Sequence, residues 1–352
     1  MIFQVLRYAY GGAKVMAMKS RLLTPEDYRY LLKARDLQEM AGYLMSTAYG
    51  PALKDWDWRS PDAEADLNRR LYGDLAQAFL KVRRGLMRRE ARFLERLAVR
   101  LAAENLKVVL RALHQGLAPE EAARKLLPLN GLTPLNFGEL VRQGNIPALA
   151  DHLAPTIWGM PLARGLPRYQ QEQSLFPLEM SLDLFVFDYL RQGLKHLSRT
   201  DRRLAGRVLD LRADITNILW VGRFREIYGF PGEEIYQYLI EAGSFIKPQA
   251  RRDLAFARDT AEMAARLPRP LQTRLAGAAD RVAVEERLTA YWAETLAKLQ
   301  RLPPFQMGLP LSYLFLKEME IHHLITLATG KLLNLPAERV LPQLRPGLAG
   351  VI

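Results

Sequence analysis

Leu67, Leu71, Leu75, Phe79, Val82 and Leu86 follow one another at steps of four, four, four, three and four residues, which draws one apolar stripe along a helix. The stripe resumes at Leu94, Leu97, Leu101 and Val108, so residues 66–115 read as one long helix or two in line, with Gly85 the place for a bend. Comparable stretches cover 178–228 and 284–333. In the last, Leu302-Pro303-Pro304 and Gly308-Leu309-Pro310 break the run into separate helices, because proline removes a helical donor and disfavours helix in the residue before it. Residues 164–171 read as a linker. No period-two run of β-branched residues bounded by hairpin turns appears. The pattern predicts an all-α protein.

The same cassette occurs three times. Asn105-Leu106 leads to Gly116 and then Pro119-Glu120-Glu121. Asn217-Ile218 leads to Gly229 and then Pro231-Gly232-Glu233-Glu234, and His323-Leu324 leads to Asn334 and then Pro336-Ala337-Glu338. The copies start 112 and 106 residues apart, and 15, 16 and 15 residues separate the Asn/His position from the aligned Glu. Each reads as an apolar helix ended by a residue that tolerates the left-handed conformation, followed by a proline that presets the next helix. Glutamates in the first turn favour the positive end of that helix's dipole. A fainter repeat relates residues 44–53 to residues 153–162, and Glu64, Glu179 and Glu285 open the long segments. An internal period decides architecture first. Three helical repeats are expected, over residues 1–121, 122–234 and 235–352.

Composition narrows the class. A chain of 352 residues exceeds the size at which one core keeps growing. No apolar run approaches the ~20 residues of a membrane helix, and the amino terminus lacks a signal-peptide pattern. Without cysteine there are no disulfides or thiolate metal sites. A soluble, cytoplasmic chain is expected. The net charge of +12 is mostly arginine, densest at Arg83, Arg84, Arg88, Arg89 and Arg92. That patch suits phosphate, anionic lipid headgroups or an acidic protein, or is simply the solvated face of a long helix. No aromatic residues interleave with it as stacking platforms, which argues against single-stranded nucleic acid.

The opening Tyr8-Ala9-Tyr10-Gly11-Gly12-Ala13-Lys14-Val15-Met16-Ala17-Met18-Lys19-Ser20, with Leu22-Leu23 and Tyr28, resembles the start of the C subunit of prokaryotic A/V-type ATPases, the counterpart of the d subunit in the eukaryotic vacuolar enzyme. Leu44 to Leu53 is similar to that family's Leu-x-x-Thr-x-Tyr-Gly-x-x-Leu element. Pro310 to Ile321 resembles its signature of a Lys-Glu and an acidic-Ile pair, here Lys317-Glu318 and Glu320-Ile321; where the family continues Asn-Leu-Arg, this chain has His322-His323-Leu324. The resemblance implies three similar helical domains around a pseudo-threefold axis, forming a funnel with a central cavity and no active site. It implies a seat on the cytoplasmic face of the proteolipid rotor ring, one copy per complex, receiving the foot of the central shaft (the D and F subunits) and transmitting torque. A basic α-helical scaffold for other acidic partners, nucleic acid or a membrane surface is the alternative.

Candidate contact residues follow from the pattern. Asn105, Asn217 and His323 share one helical position and either line a common axis or bond to a neighbouring helix within their own repeat. Glu120, Glu233 and Glu338 are first-turn carboxylates that would form a negative rim if the repeats share an axis. The arginine cluster is the charged contact with a partner or lipid. Catalysis is not expected: there is no Gly-x-x-x-x-Gly-Lys-Ser/Thr loop and no Gly-x-Ser-x-Gly elbow. Of Glu318, Glu320, His322 and His323, only Glu318 and His322 share a helix face, so no metal and no cofactor are expected.

Overall fold

The computed structural model describes residues 2–278 and 280–348. Among them the regular elements are all helices, accompanied by one isolated bridge between Asn130 and Thr133. Two compact units emerge: residues 49–196, and the residues up to 48 together with those from 197 onward.

In the unit of residues 49–196, the apolar stripe builds the core. Leu67, Leu71, Leu75, Phe79 and Val82 are buried on the helix Ala63–Arg84, and Leu94, Leu97 and Leu101 on the helix Arg88–Gln115. These are not one rod or two in line. Arg83 Nε lies 3.1 Å from Glu95, whereas twelve residues on a continuous helix span about 18 Å. The chain therefore folds back through Gly85-Leu86-Met87. The helix Phe176–Gly193 packs antiparallel on Arg88–Gln115, with Arg96 Nη1 donating to Tyr189 O (3.0 Å), Lys107 Nζ to Asp183 (3.0 Å) and Arg111 Nε to Glu179 (2.7 Å).

Residues 164–171 are no linker; they belong to the helix Gly159–Glu172. Pro167 frees the carbonyl of Ala163, but both residues are exposed and water can bond it. Gly165 is a packing residue: a Cβ there would stand 2.9 Å from Leu178 Cα and 3.0 Å from Pro177 O, both backbone atoms that cannot turn away. Gly165→Ala is accordingly expected to destabilise this unit by about 1–3 kcal/mol. Arg164→Ala, at the exposed neighbour, should stay within about 0.5 kcal/mol. Equal urea midpoints for the two variants would show that this helix crossing is not tight.

The other unit is organised around the helix Gly308–Leu332, apolar on nearly all sides and buried along most of its length. Around it lie Ile2–Lys19, Leu37–Met45, Arg199–Glu226, Arg281–Leu299 and Ala337–Leu348. The proline break falls at residues 300–307; Gly308-Leu309-Pro310 instead form the first turn of the new helix, where a missing N–H has no partner to lose. Side-chain caps start many helices as the sequence rules ask. Thr24 forms a capping box with Asp27, and Asp36, Ser198, Asp259 and Asp280 cap their own helices.

All three cassettes end their helices as expected. Gly116, Gly229 and Asn334 have φ of 64°, 66° and 53°. The following N–H reaches back each time: Leu117 to Ala112 O (3.0 Å), Phe230 to Phe224 O (3.1 Å) and Leu335 to Gly330 O (2.8 Å). Pro119 opens its helix, while Pro231 and Pro336 precede theirs by one residue.

Candidate functional site: polar clamps and a basic helix end

Asn105 and Asn217 perform one task in two places. Asn105 Oδ1 accepts the N–H of Leu127 (2.8 Å) while its Nδ2 donates to Leu127 O (2.9 Å). Asn217 does the same to Ile240, at 2.8 and 3.0 Å. A primary amide carries an acceptor and a donor side by side, so it can replace one rung of a ladder for a returning strand of backbone. Both asparagines are fully buried. Their amides are thus occupied by loop backbone 22 and 23 residues downstream, Leu127 and Ile240, which lie past the expected repeat boundaries at 121 and 234 and are not in neighbouring helices of the same repeat.

The third member departs from this. His323 is buried, its Nδ1 3.4 Å from the Tyr28 hydroxyl and its ring edge-on to the tyrosine. Burial first, and the neighbouring His322 second, lowers its pKa to about 4. It belongs to a seam that ties the amino-terminal segment to the helix Gly308–Leu332. One turn earlier, Glu320 Oε2 accepts the N–H of Leu23 (2.6 Å), and its Oε1 lies 3.9 Å from Lys317 Nζ. Two turns later, Lys331 donates to the carbonyls of Leu32 (2.8 Å) and Ala34.

A second clamp has no counterpart in the sequence reading. Asp214 is buried one turn before Asn217 and accepts the consecutive N–H groups of Ser244, Phe245 and Ile246 at 2.8, 2.8 and 3.0 Å. Its cue is Gly243, at φ 151°, where any Cβ would collide with the carboxylate. Lys107 was also missed. It is held between Glu104 (2.8 Å) and Asp183 (3.0 Å), a pairing across helices that spacing cannot reveal.

The charged candidates lie on surfaces. Arg83 is engaged by Glu95, whereas Arg84, Arg88, Arg89 and Arg92 are exposed around the turn at residues 85–87, brought to one end of the helical hairpin. Glu120, Glu233 and Glu338 are exposed first-turn carboxylates of three separate helices, Glu120 standing 3.9 Å from Arg142. Glu318, Glu320, His322 and His323 do not converge on one point; among the described residues no group of three or more such ligands does. No helix of the described residues is long and apolar enough to cross a membrane.

Long antiparallel helices, braced inside by amide and carboxylate clamps on returning backbone, define an all-α protein. A model of the ATP synthase (C/AC39) subunit family matches residues 12–342, and the chain belongs to that family. It is similar to the C subunit of the A-type ATP synthase of Methanocaldococcus jannaschii, 23% identical over 97% of this chain and 86% of that one. The corresponding C subunit of Desulfurococcus is 26% identical over 93% of this chain and 87% of its own length, and that of Halorubrum lacusprofundi 25% over 94% and 95%. Membership makes the chain a non-catalytic component of a rotary ATPase.

Proposed function

We propose that this chain is the central-stalk coupling subunit of its rotary complex, seating the shaft (the D and F subunits) on the proteolipid rotor ring and transmitting torque between them. The observation that carries the reading is the family match over residues 12–342, joined to relatives named as the C subunit of A-type ATP synthases that align across most of both chains. In this reading the three repeats, 1–121, 122–234 and 235–352, surround a pseudo-threefold axis as a funnel. One copy sits on the cytoplasmic face, peripheral to the membrane. The internal clamps support it physically: a part that passes torque must resist shear, and buried, fully paired polar groups rigidify a helical core. Glu120, Glu233 and Glu338 are the proposed negative rim, and the arginine end a proposed charged contact. Asn105, Asn217 and His323 act here as braces behind those surfaces.

The test is co-purification of the tagged full chain with the detergent-solubilised proteolipid ring and the D–F shaft, with DNA and an unrelated acidic protein as controls. Capture of both ring and shaft at one chain per ring is the expected outcome. Capture of neither, with retention of DNA or of any acidic protein, would overturn the reading and leave a basic helical scaffold.

A further inference from the structure

We infer that the basic end of the three-helix bundle in residues 49–196 is a docking surface for anionic phospholipid headgroups. The argument begins with charge that breaks a local rule. Arg88 and Arg89 occupy the first turn of a 28-residue helix, where the dipole disfavours cations. The single acidic residue of that turn, Glu90, is buried instead of facing outward with them. Departures from local rules mark functional positions in otherwise consistent folds.

The fold then gathers more positive charge at the same end. The helix Ala63–Arg84 arrives there with Lys81, Arg83 and Arg84 in its last turn. The helix Phe176–Gly193 runs antiparallel to Arg88–Gln115, as the Arg96–Tyr189 and Lys107–Asp183 contacts require, so its exposed Arg191 and the following Lys195 and His196 reach that end too. Of the carboxylates on these helices, Glu104, Glu179 and Asp183 lie toward the other end, engaged by Lys107 and Arg111, while Glu95 at this end is held by Arg83 and Asp188 is exposed beside Tyr189. Among the described residues, the side chains of Arg84, Arg88, Arg89 and Arg92 make no ion pair or hydrogen bond. By contrast, Arg29, Arg35, Arg70, Arg168 and Arg274 each hold a carboxylate.

The apex identifies the partner's chemistry. Met87, at the turn between the two helices and next to Arg88 and Arg89 in the chain, is 55% exposed. A flexible apolar side chain at the tip of a cationic, convex bundle end suits a planar surface that is anionic outside and apolar just beneath. Single-stranded nucleic acid would ask for aromatic platforms, and none interleave here.

The experiment is sedimentation of the full chain with protein-free vesicles, of phosphatidylcholine alone or with about a third phosphatidylglycerol, at about 0.1 M salt. This surface stands apart from the coupling reading, since no ring or shaft is in the tube. Binding is expected only to the anionic vesicles, and weaker as salt rises. The joint change Arg84→Ser, Arg88→Ser, Arg89→Ser and Arg92→Ser should lower apparent affinity at least about tenfold, with thermal unfolding unchanged. Met87→Ser alone should lower it by about threefold. A charge-matched control at four exposed positions outside the cluster, Arg21→Ser, Arg164→Ser, Arg269→Ser and Arg301→Ser, should stay within about twofold. Three outcomes overturn the inference: no preference for anionic vesicles, an equal loss in the control, or a tip variant that binds vesicles normally. If that normally binding variant fails to capture the proteolipid ring, the tip is instead a protein contact.

Discussion

Asn217→Leu should lower the unfolding free energy by about 2–4 kcal/mol, with little change in packing volume. The reason is the pair of backbone groups left behind. The N–H of Ile240 loses its partner at 2.8 Å in a site closed to water, and its carbonyl keeps only the long 3.4 Å contact from Arg251. An orphaned buried donor or acceptor costs about 1–3 kcal/mol, while the removed amide needs none of its own hydrogen bonds once it is gone. Asn105→Leu should cost about half as much, because Leu127 is only partly buried and water can reach its freed groups. Amide hydrogen exchange reads the clamp directly. Protection at Ile240 should fall sharply in Asn217→Leu, and at Leu127 less so in Asn105→Leu. Unchanged protection at Ile240 would mean that the amide is not what holds the returning segment.

Acidification should open the seam between the chain's beginning and the helix Gly308–Leu332, with His323 supplying about 3 kcal/mol of the loss by pH 4. Its folded pKa of about 4 lies below the ordinary imidazole value of 6.5. Between those two values the unfolded chain binds a proton that the folded chain refuses, so stability rises with pH across the window and is lost as pH falls through it. The Tyr28 hydroxyl and the neighbouring His322 are the polar groups that act on it. None of the bonds seen there requires a charged imidazole. His323→Phe keeps the edge-on packing with Tyr28 and removes the titration. The measurement is urea unfolding of both proteins from pH 7 to pH 4. The wild type should lose about 3 kcal/mol more than the variant over that range, and parallel curves would remove His323 as the acid-sensitive group.

Much of this architecture was legible in the letters because local rules and tertiary packing agree. The Leu67–Val82 stripe is buried as spaced, and Gly116, Gly229 and Asn334 take the left-handed conformation that their place before Pro and Glu demands. Direction was less legible. A period of 3.6 says which face is apolar but not whether the next helix continues or returns, so the reversal at Gly85-Leu86-Met87 reads as well as a bend. Pro167 and Gly165 look like linker residues, yet one faces water and the other admits a neighbouring backbone. The shared Asn position stood out through repetition, but its partners 22 and 23 residues downstream did not, since spacing along one helix cannot announce which loop returns to it. Asp214 left only Gly243 as a cue, and nothing in the spacing links that glycine to it. Exposed Glu120, Glu233 and Glu338 kept their first-turn places, and that placement is a local property.

The unit built from both ends of the chain sets a timetable for its birth. Leu32 and Ala34 leave the ribosome early, but Lys331, which donates to their carbonyls, is made almost 300 residues later. At typical synthesis rates of ~5–20 residues per second, the opening helices wait roughly 15–60 s for the helix that covers them. Residues 49–196, by contrast, are complete long before the chain is finished. During translation the segment carrying Leu32 and Ala34 is therefore made long before its final neighbours, and its apolar faces must be shielded in the meantime by something else.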